Sequence, residues 1–340
     1  MQNCFNSIRH FAAFLVLFSH HYALTGRGEP TIPLWDTLGF LAVAIFFAIS
    51  GYLMPHSFQS SDNFLHFMEK RVRRIFPGLI FCAFVMVYVI GTIFTPSGIV
   101  EYLTSPSNAK TFVLLSMFDG RPIPGVFSDF VYPNALNGSL WTLPVEFACY
   151  LIIGVGLAFC RSWKTAAVLL MLACAATATT NIKWDNFSFY NVPLGFLALF
   201  GISFCTGALL SLTATAWRPY RLHLAILAAV IIYVIRGRYE IQVLGTASIA
   251  ILTVVIGTTF KERLLKAGTD ISYGVYIYAF PIQQIVINRI TDHFWGSMII
   301  SAVLVSIAGY LSYRYVESPF LKRRKQTMIE SSAADPATSH

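Results

Sequence analysis

Residues 36–55 read DTLGFLAVAIFFAISGYLMP. One acid stands at the edge, and no other charge follows to Pro55. About 20 mostly apolar residues span a bilayer as one helix. The apolar residues are continuous rather than alternating, which excludes a strand of a membrane barrel. Segments of the same kind recur at 8–25, 78–95, 138–160, 164–180, 193–212, 222–236, 242–260, 271–290 and 296–314. The expected fold is an all-α polytopic membrane protein, a bundle of about ten transmembrane helices. The segments 164–180 and 222–236 are the shortest.

The composition agrees. Of 340 residues, 56% are hydrophobic and 12% charged, and the mean hydropathy is +0.63. Soluble domains carry about 25% charged residues, so this chain cannot cover a water-facing globule with polar surface. Disordered chains, secreted disulfide scaffolds and ordinary cytosolic enzymes are excluded. The net charge of +8 does not indicate nucleic acid, because the basic residues lie in short runs between apolar segments. Ten spans put both termini on one side. Seventeen of the 24 Lys and Arg fall on that side, so it is read as cytoplasmic. The first segment lacks a small-residue cleavage site after Leu24-Thr25 and is read as a helix rather than a leader. Residues 1–320 form one transmembrane domain and 321–340 a disordered cytoplasmic tail. The stretch 96–137 is a long outside loop, rare unless it has a task or is disordered. The six cysteines, with no C-x-x-C pair, are read as small buried hydrophobes.

Ionisable residues at membrane depth are costly and point to function. Arg9 and His20 are eleven residues apart, so they share a helix face about 16 Å apart along the axis. His20 suits a general base; His20 and His21 as a polar helix end, with Arg9 snorkelling, is the other reading. Glu69 to Pro77 reads as the end of a loop with four positive charges before the proline. Arg71 and Arg74 there suit phosphates, or simply hold the loop inside. Glu146 is the clearest acid within a span. It could pair with His20, position a hydroxyl, or make a structural hydrogen bond. Trp141 suits a membrane-interface belt or a sugar platform. The segment 271–290 carries Tyr273, Tyr276, Tyr278, Gln283 and Gln284, so this face should look into the protein. Pro281 frees a backbone carbonyl that needs a partner. Glu317 and Arg314 have the spacing of a local ion pair. The scattered histidines give no support to a metal site, and no glycine-rich phosphate loop is present.

Six stretches together resemble the membrane-bound acyltransferase 3 family. They are Arg9 with His20, Ile45–Leu53 (IFFAISGYL), Arg71-x-x-Arg74-Ile75-x-Pro77, Ser139–Glu146 (SLWTLPVE), Ser272–Tyr278 (SYGVYIY) and Val316–Pro319 (VESP). They cover about residues 5–320. The resemblance implies a bacterial inner-membrane enzyme that moves an acyl group, commonly acetyl, from cytoplasmic acyl-CoA to a hydroxyl of a cell-envelope or exported glycan. It implies catalytic roles for His20 and Arg9 and a donor-binding role for Arg71 and Arg74. His20 serves as base or acyl acceptor, and Glu146 joins the catalytic group. Trp141, Tyr273 and Tyr278 are the expected acceptor-pocket residues. Two positions depart from the family. Ala44 stands where many members have an acid, and Ala279 where a histidine is common. No tightly bound cofactor or metal is expected, only acyl-CoA as co-substrate. The partners are a glycan or lipid-linked sugar and membrane lipids, with a homo-oligomer compatible. A transporter or flippase of a glycan or lipid-linked intermediate is the rival reading.

Overall fold

The computed structural model describes residues 3–183, 187–262 and 270–321. The expected tail beyond Leu321, and the basic residues Arg263 and Lys266, lie outside the described residues. The long helices are α1 (Phe5–Leu24), α2 (Leu38–Gln59) and α3 (Phe64–Phe94). Two short helices follow, α4 (Ile99–Thr104) and α5 (Pro106–Ser116). Next come α6 (Thr142–Phe159), α7 (Trp163–Lys183) and α8 (Leu194–Leu212). The last four are α9 (Ala214–Ile235), α10 (Ile241–Thr259), α11 (Ser272–Ile285, extended by a π turn over Val286–Ile290) and α12 (Phe294–Leu321).

A helix lies over each of the ten predicted segments. Seven of these helices are long and apolar enough to cross a membrane. Helices α1, α7 and α11 are not among the seven: α7 counts only as a shorter apolar helix over Trp163–Thr179, and the load of Arg, His, Tyr and Gln in α1 and α11 lowers their apolarity. Large apolar side chains such as Phe159, Ile226, Ile299 and Ile307 are exposed along the outer faces. Such faces need lipid rather than water, as a multi-pass membrane protein requires.

Helices without a hydrophobic drive between them associate through close packing at small residues. Gly51 of α2 lies against the Phe204 carbonyl of α8, and Gly207 of α8 against the Ala48 carbonyl of α2. A Cβ at either position would overlap that backbone. Helices α11 and α12 meet the same way: a Cβ on Gly274 would stand 2.7 Å from Gly309 Cα. The bundle has two ends. One holds the start of α1, α3 and α11 and the finish of α2 and α12. The other holds His20, the 25–37 loop and the 95–141 segment.

The 96–137 stretch is folded rather than open. Phe127 stacks on Phe130 at 4.2 Å, and Phe94 packs on both. The Gln284 amide donates to the Tyr132 and Ala135 carbonyls at 2.8 and 3.0 Å, and Asn288 Oδ1 accepts the Val131 N–H at 2.8 Å. Pro281 leaves the Ile277 carbonyl without its helical donor. Asn137 Nδ2 donates to it at 2.8 Å, so the expected partner comes from the end of this same segment. Asn137→Ala should cost about 1 kcal/mol, because the Ile277 carbonyl would keep only the weak Cys82 Sγ donor at 3.5 Å. Thermal unfolding in detergent should show a lowered midpoint; an unchanged midpoint would contradict this assignment.

Candidate active site

Helix α3 starts earlier than the sequence suggested. Asn63 caps it, its side-chain oxygen accepting the His66 N–H at 2.9 Å. The basic cluster is therefore helical and not the end of a loop. Three residues apart, Arg71 and Arg74 share a face, and that face turns into the bundle. Arg73 also reaches the cavity rim, but its guanidinium pairs with Glu69 at 2.6 Å.

A cavity of about 560 Å³ opens between α1, α2, α3, α6 and α11. Arg9, Lys70, Arg71 and Arg74 line one end; Phe46, Thr142 and Tyr276 line the other; Glu146 and Tyr150 stand between. Asp270, just before α11, organises the cationic end. Its Oδ2 accepts from Arg74 Nη2 at 2.7 Å and from Arg9 Nη1 at 3.3 Å. Its Oδ1 accepts the Ser272 N–H at 3.1 Å and the Ser272 hydroxyl at 2.5 Å. Burial pushes the Asp270 carboxyl up, but Arg74 and then Arg9 outweigh it and hold it well below the ordinary carboxylate range.

Glu317 is buried, accepts from Ser312 Oγ at 2.9 Å and faces Arg74 at 3.9 Å. The expected local pair with Arg314 is thus replaced by a contact across helices. Helix α12 turns Glu317 inward, where a buried carboxylate needs donors. Arg71 has no carboxylate within ion-pair distance among the described residues. Its Nη2 donates to Ser57 Oγ at 3.2 Å, Nη1 reaches Met54 Sδ at 3.6 Å, and its buried Nε has no protein acceptor there. Glu146 Oε1 accepts from Ser50 Oγ at 2.6 Å and from Tyr150 Oη at 2.5 Å. The carboxylate serves the cavity wall and is not brought to His20.

His20 lies beyond the far end of the cavity. Thr142 Oγ1 and Tyr276 Oη meet at 2.5 Å, and Tyr276 donates to the Ser139 carbonyl at 2.9 Å. Ser139 Oγ then stands 3.5 Å from His20 Nδ1. The Phe280 ring packs edge-on against the imidazole at 5.6 Å. On the other side Ser19 donates to Glu29 Oε2 at 2.6 Å while accepting the Gly39 N–H at 3.0 Å. This places the Glu29 carboxylate within electrostatic reach of His20. His21 differs. It is fully buried, Nε2 lies 3.0 Å from both the Phe294 carbonyl and Ser297 Oγ, and Gln283 donates to Nδ1 at 3.0 Å. Both its nitrogens serve helix packing.

The other predicted residues are dispersed. Arg9 joins the cationic end rather than His20. Tyr273 lines that same end, donating to the Ile75 carbonyl at 2.8 Å. Tyr278 is buried beside Ser312 and Cys82, and Trp141 packs on Phe196 at 4.7 Å. These three do not share one pocket. Ala44 and Ala279 are fully buried in apolar packing. The sequence reading passed over Asp270, Ser19 and Glu29. Asp270 had one visible signal, an acid two residues ahead of the Ser272-Tyr273-Gly274 stretch.

Comparison with known proteins supplies a second line. The family model described as an acyltransferase domain matches residues 2–314. An O-acetyl transferase of Shigella phage Sf6 is 37% identical over 325 residues, covering 94% of this chain and 96% of that protein. Nodulation protein 10 of Rhizobium leguminosarum bv. viciae is 28% identical, covering 95% of this chain and 94% of the relative. A peptidoglycan O-acetyltransferase of Listeria monocytogenes is 23% identical and covers 85% of this chain, which aligns with 52% of that longer protein. No solved structure matches the chain.

The Asp270 pairings carry a pH signature. A depressed carboxyl contributes stability above its unfolded value of about 3.9, and loses it as pH falls through the folded value. Asp270→Asn should therefore lower the unfolding midpoint at neutral pH, with the difference from wild type shrinking below about pH 4. A difference independent of pH would contradict the pairing.

Proposed function

We propose, from the premise that this chain belongs to the acyltransferase domain family and is an acyltransferase, that it moves an acetyl group from acetyl-CoA to a glycan hydroxyl. The observation that carries this reading is the cavity itself. It begins among arginines and ends at Thr142 and Tyr276, one residue short of His20. A CoA thioester has that polarity: phosphates at one end, a long thin arm, and an acyl carbon at the other. Guanidinium groups bind phosphate through paired N–H donors.

The step needs a base at the far end. His20 Nδ1 faces Ser139, which leaves Nε2 for the acceptor hydroxyl. Such contacts are long without substrate and tighten in the reactive complex. As the hydroxyl oxygen attacks the thioester carbonyl carbon, Nε2 takes its proton. The carbon–sulfur bond breaks, and the imidazolium returns the proton to the departing thiolate. Glu29 steadies the transient positive charge on the imidazole.

All ten helices are read as spans with both termini in the cytoplasm of a bacterial inner membrane. The concentration of Lys and Arg at the Arg9–Arg74 end supports this and puts the donor site where acyl-CoA is found. The acceptor is a cell-envelope or exported polysaccharide, by analogy with the relative named as a peptidoglycan O-acetyltransferase.

His20→Ala should abolish label transfer from radiolabelled acetyl-CoA to polysaccharide in membranes, while the purified variant keeps its unfolding midpoint. Retained transfer would remove His20 from the chemistry. Arg71→Gln should raise the KM for acetyl-CoA about tenfold or more, in line with about 1.5–3 kcal/mol for a charged hydrogen bond. An unchanged KM would take the donor out of this cavity.

A further inference from the structure

Four arginines line one end of the cavity; Arg73 is paired with Glu69 on its own helix, and of the other three, two share a carboxylate. Arg9 and Arg74 both reach Asp270 Oδ2, at 3.3 and 2.7 Å. Each comes from a different helix, and Asp270 precedes a third. Two like charges held on one oxygen repel when that oxygen's charge is removed. The carboxylate is itself fixed, because Ser272 occupies Oδ1 with both its N–H and its hydroxyl. Tyr273, the next residue, donates to the Ile75 carbonyl and ties the same corner to α3. The Arg74 guanidinium packs over the Tyr273 ring at 5.9 Å. Arg71, three residues from Arg74 on the same face, contacts Ser57 and Met54 and packs over the Phe67 and Tyr150 rings at 5.9 and 5.8 Å, with no carboxylate partner among the described residues.

We infer that Asp270 is a positioning residue for donor binding: it sets Arg9 and Arg74 against the cavity wall, so that Arg71 and the exposed edges of the pair form one phosphate cradle. This rests on the reading that acyl-CoA occupies the cavity. It differs from simple charge neutralisation, and the two have opposite signs. If Asp270 only offset positive charge, removing it would tighten phosphate binding. If it positions the arginines, removing it loosens phosphate binding and leaves the pantetheine arm unaffected.

The test uses the full chain in nanodiscs. Equilibrium dialysis gives the Kd of radiolabelled acetyl-CoA, and competition gives the Kd of pantetheine, which lacks the phosphates. Wild type should favour acetyl-CoA over pantetheine by about tenfold or more. Asp270→Asn should weaken acetyl-CoA about tenfold and leave pantetheine within about twofold. Ser272→Ala, a milder change that removes one donor to the same carboxylate, should weaken acetyl-CoA about two- to fivefold and serves if Asp270→Asn does not fold. Tighter or unchanged acetyl-CoA binding in the variant that folds would overturn the inference while leaving the donor site in place. A uniform loss for both ligands would mark Asp270 as structural only and overturn it too. Wild type with no preference for acetyl-CoA would overturn the donor reading, and this inference with it.

Discussion

An unpaired charge inside an apolar helix bundle is costly, and in this protein one carboxylate answers two arginines while Arg71 beside them keeps none among the described residues. Asp270 joins Arg9 of α1 to Arg74 of α3 and stands at the head of α11. Three helices far apart in sequence are thereby pinned at one end. A buried ion left alone costs several kcal/mol, so these helices cannot slide past one another without exposing an unpaired group. The cavity between them is held open by the same contacts. Its cationic end and its polar far end follow from where α1, α3, α6 and α11 cross.

The opposite end depends on a different device. Pro281 interrupts the hydrogen-bond ladder of α11, and Asn137 takes up the freed Ile277 carbonyl. That bond brings the end of the 96–137 segment down onto the helix, with Gln284 and Asn288 holding the rest. Ser139 then arrives beside His20. A proline, usually a defect in a helix, becomes the point at which an outer segment is fixed over the candidate base. Both ends of the cavity are thus set by polar contacts, while the faces between are set by glycine-mediated packing at Gly51, Gly207 and Gly274.

Much of this was legible in the sequence. Continuous apolar runs located a helix at every predicted segment, because length and hydropathy are local properties. The Arg9–His20 register held since α1 is one unbroken helix. The need of the Ile277 carbonyl for a partner could be read from Pro281, although not that Asn137 would meet it. What was hidden depends on three-dimensional neighbours. Asp270 lies outside any apolar run and gains meaning only when α1 and α3 meet beside it. Glu317 reads as an edge residue paired with Arg314 until α12 is seen to turn it toward Arg74. Glu146 reads from sequence as a partner for His20, a group that positions a hydroxyl, or a structural hydrogen-bonding group; its contacts with Ser50 and Tyr150 are of the last kind. Glu29 sits in a loop with no periodicity, so nothing local marked it as a neighbour of His20.

The central claim is that an acyl-CoA donor lies along this cavity with its reactive carbon toward His20. A cryo-electron microscopy structure with a non-hydrolysable acetyl-CoA analogue tests it most directly. The account predicts the phosphates at Arg71, beside the Arg9–Asp270–Arg74 cluster, and the acetyl group next to Thr142 and Tyr276. Analogue density outside the cavity, or with the acetyl group turned toward the arginines, would contradict it.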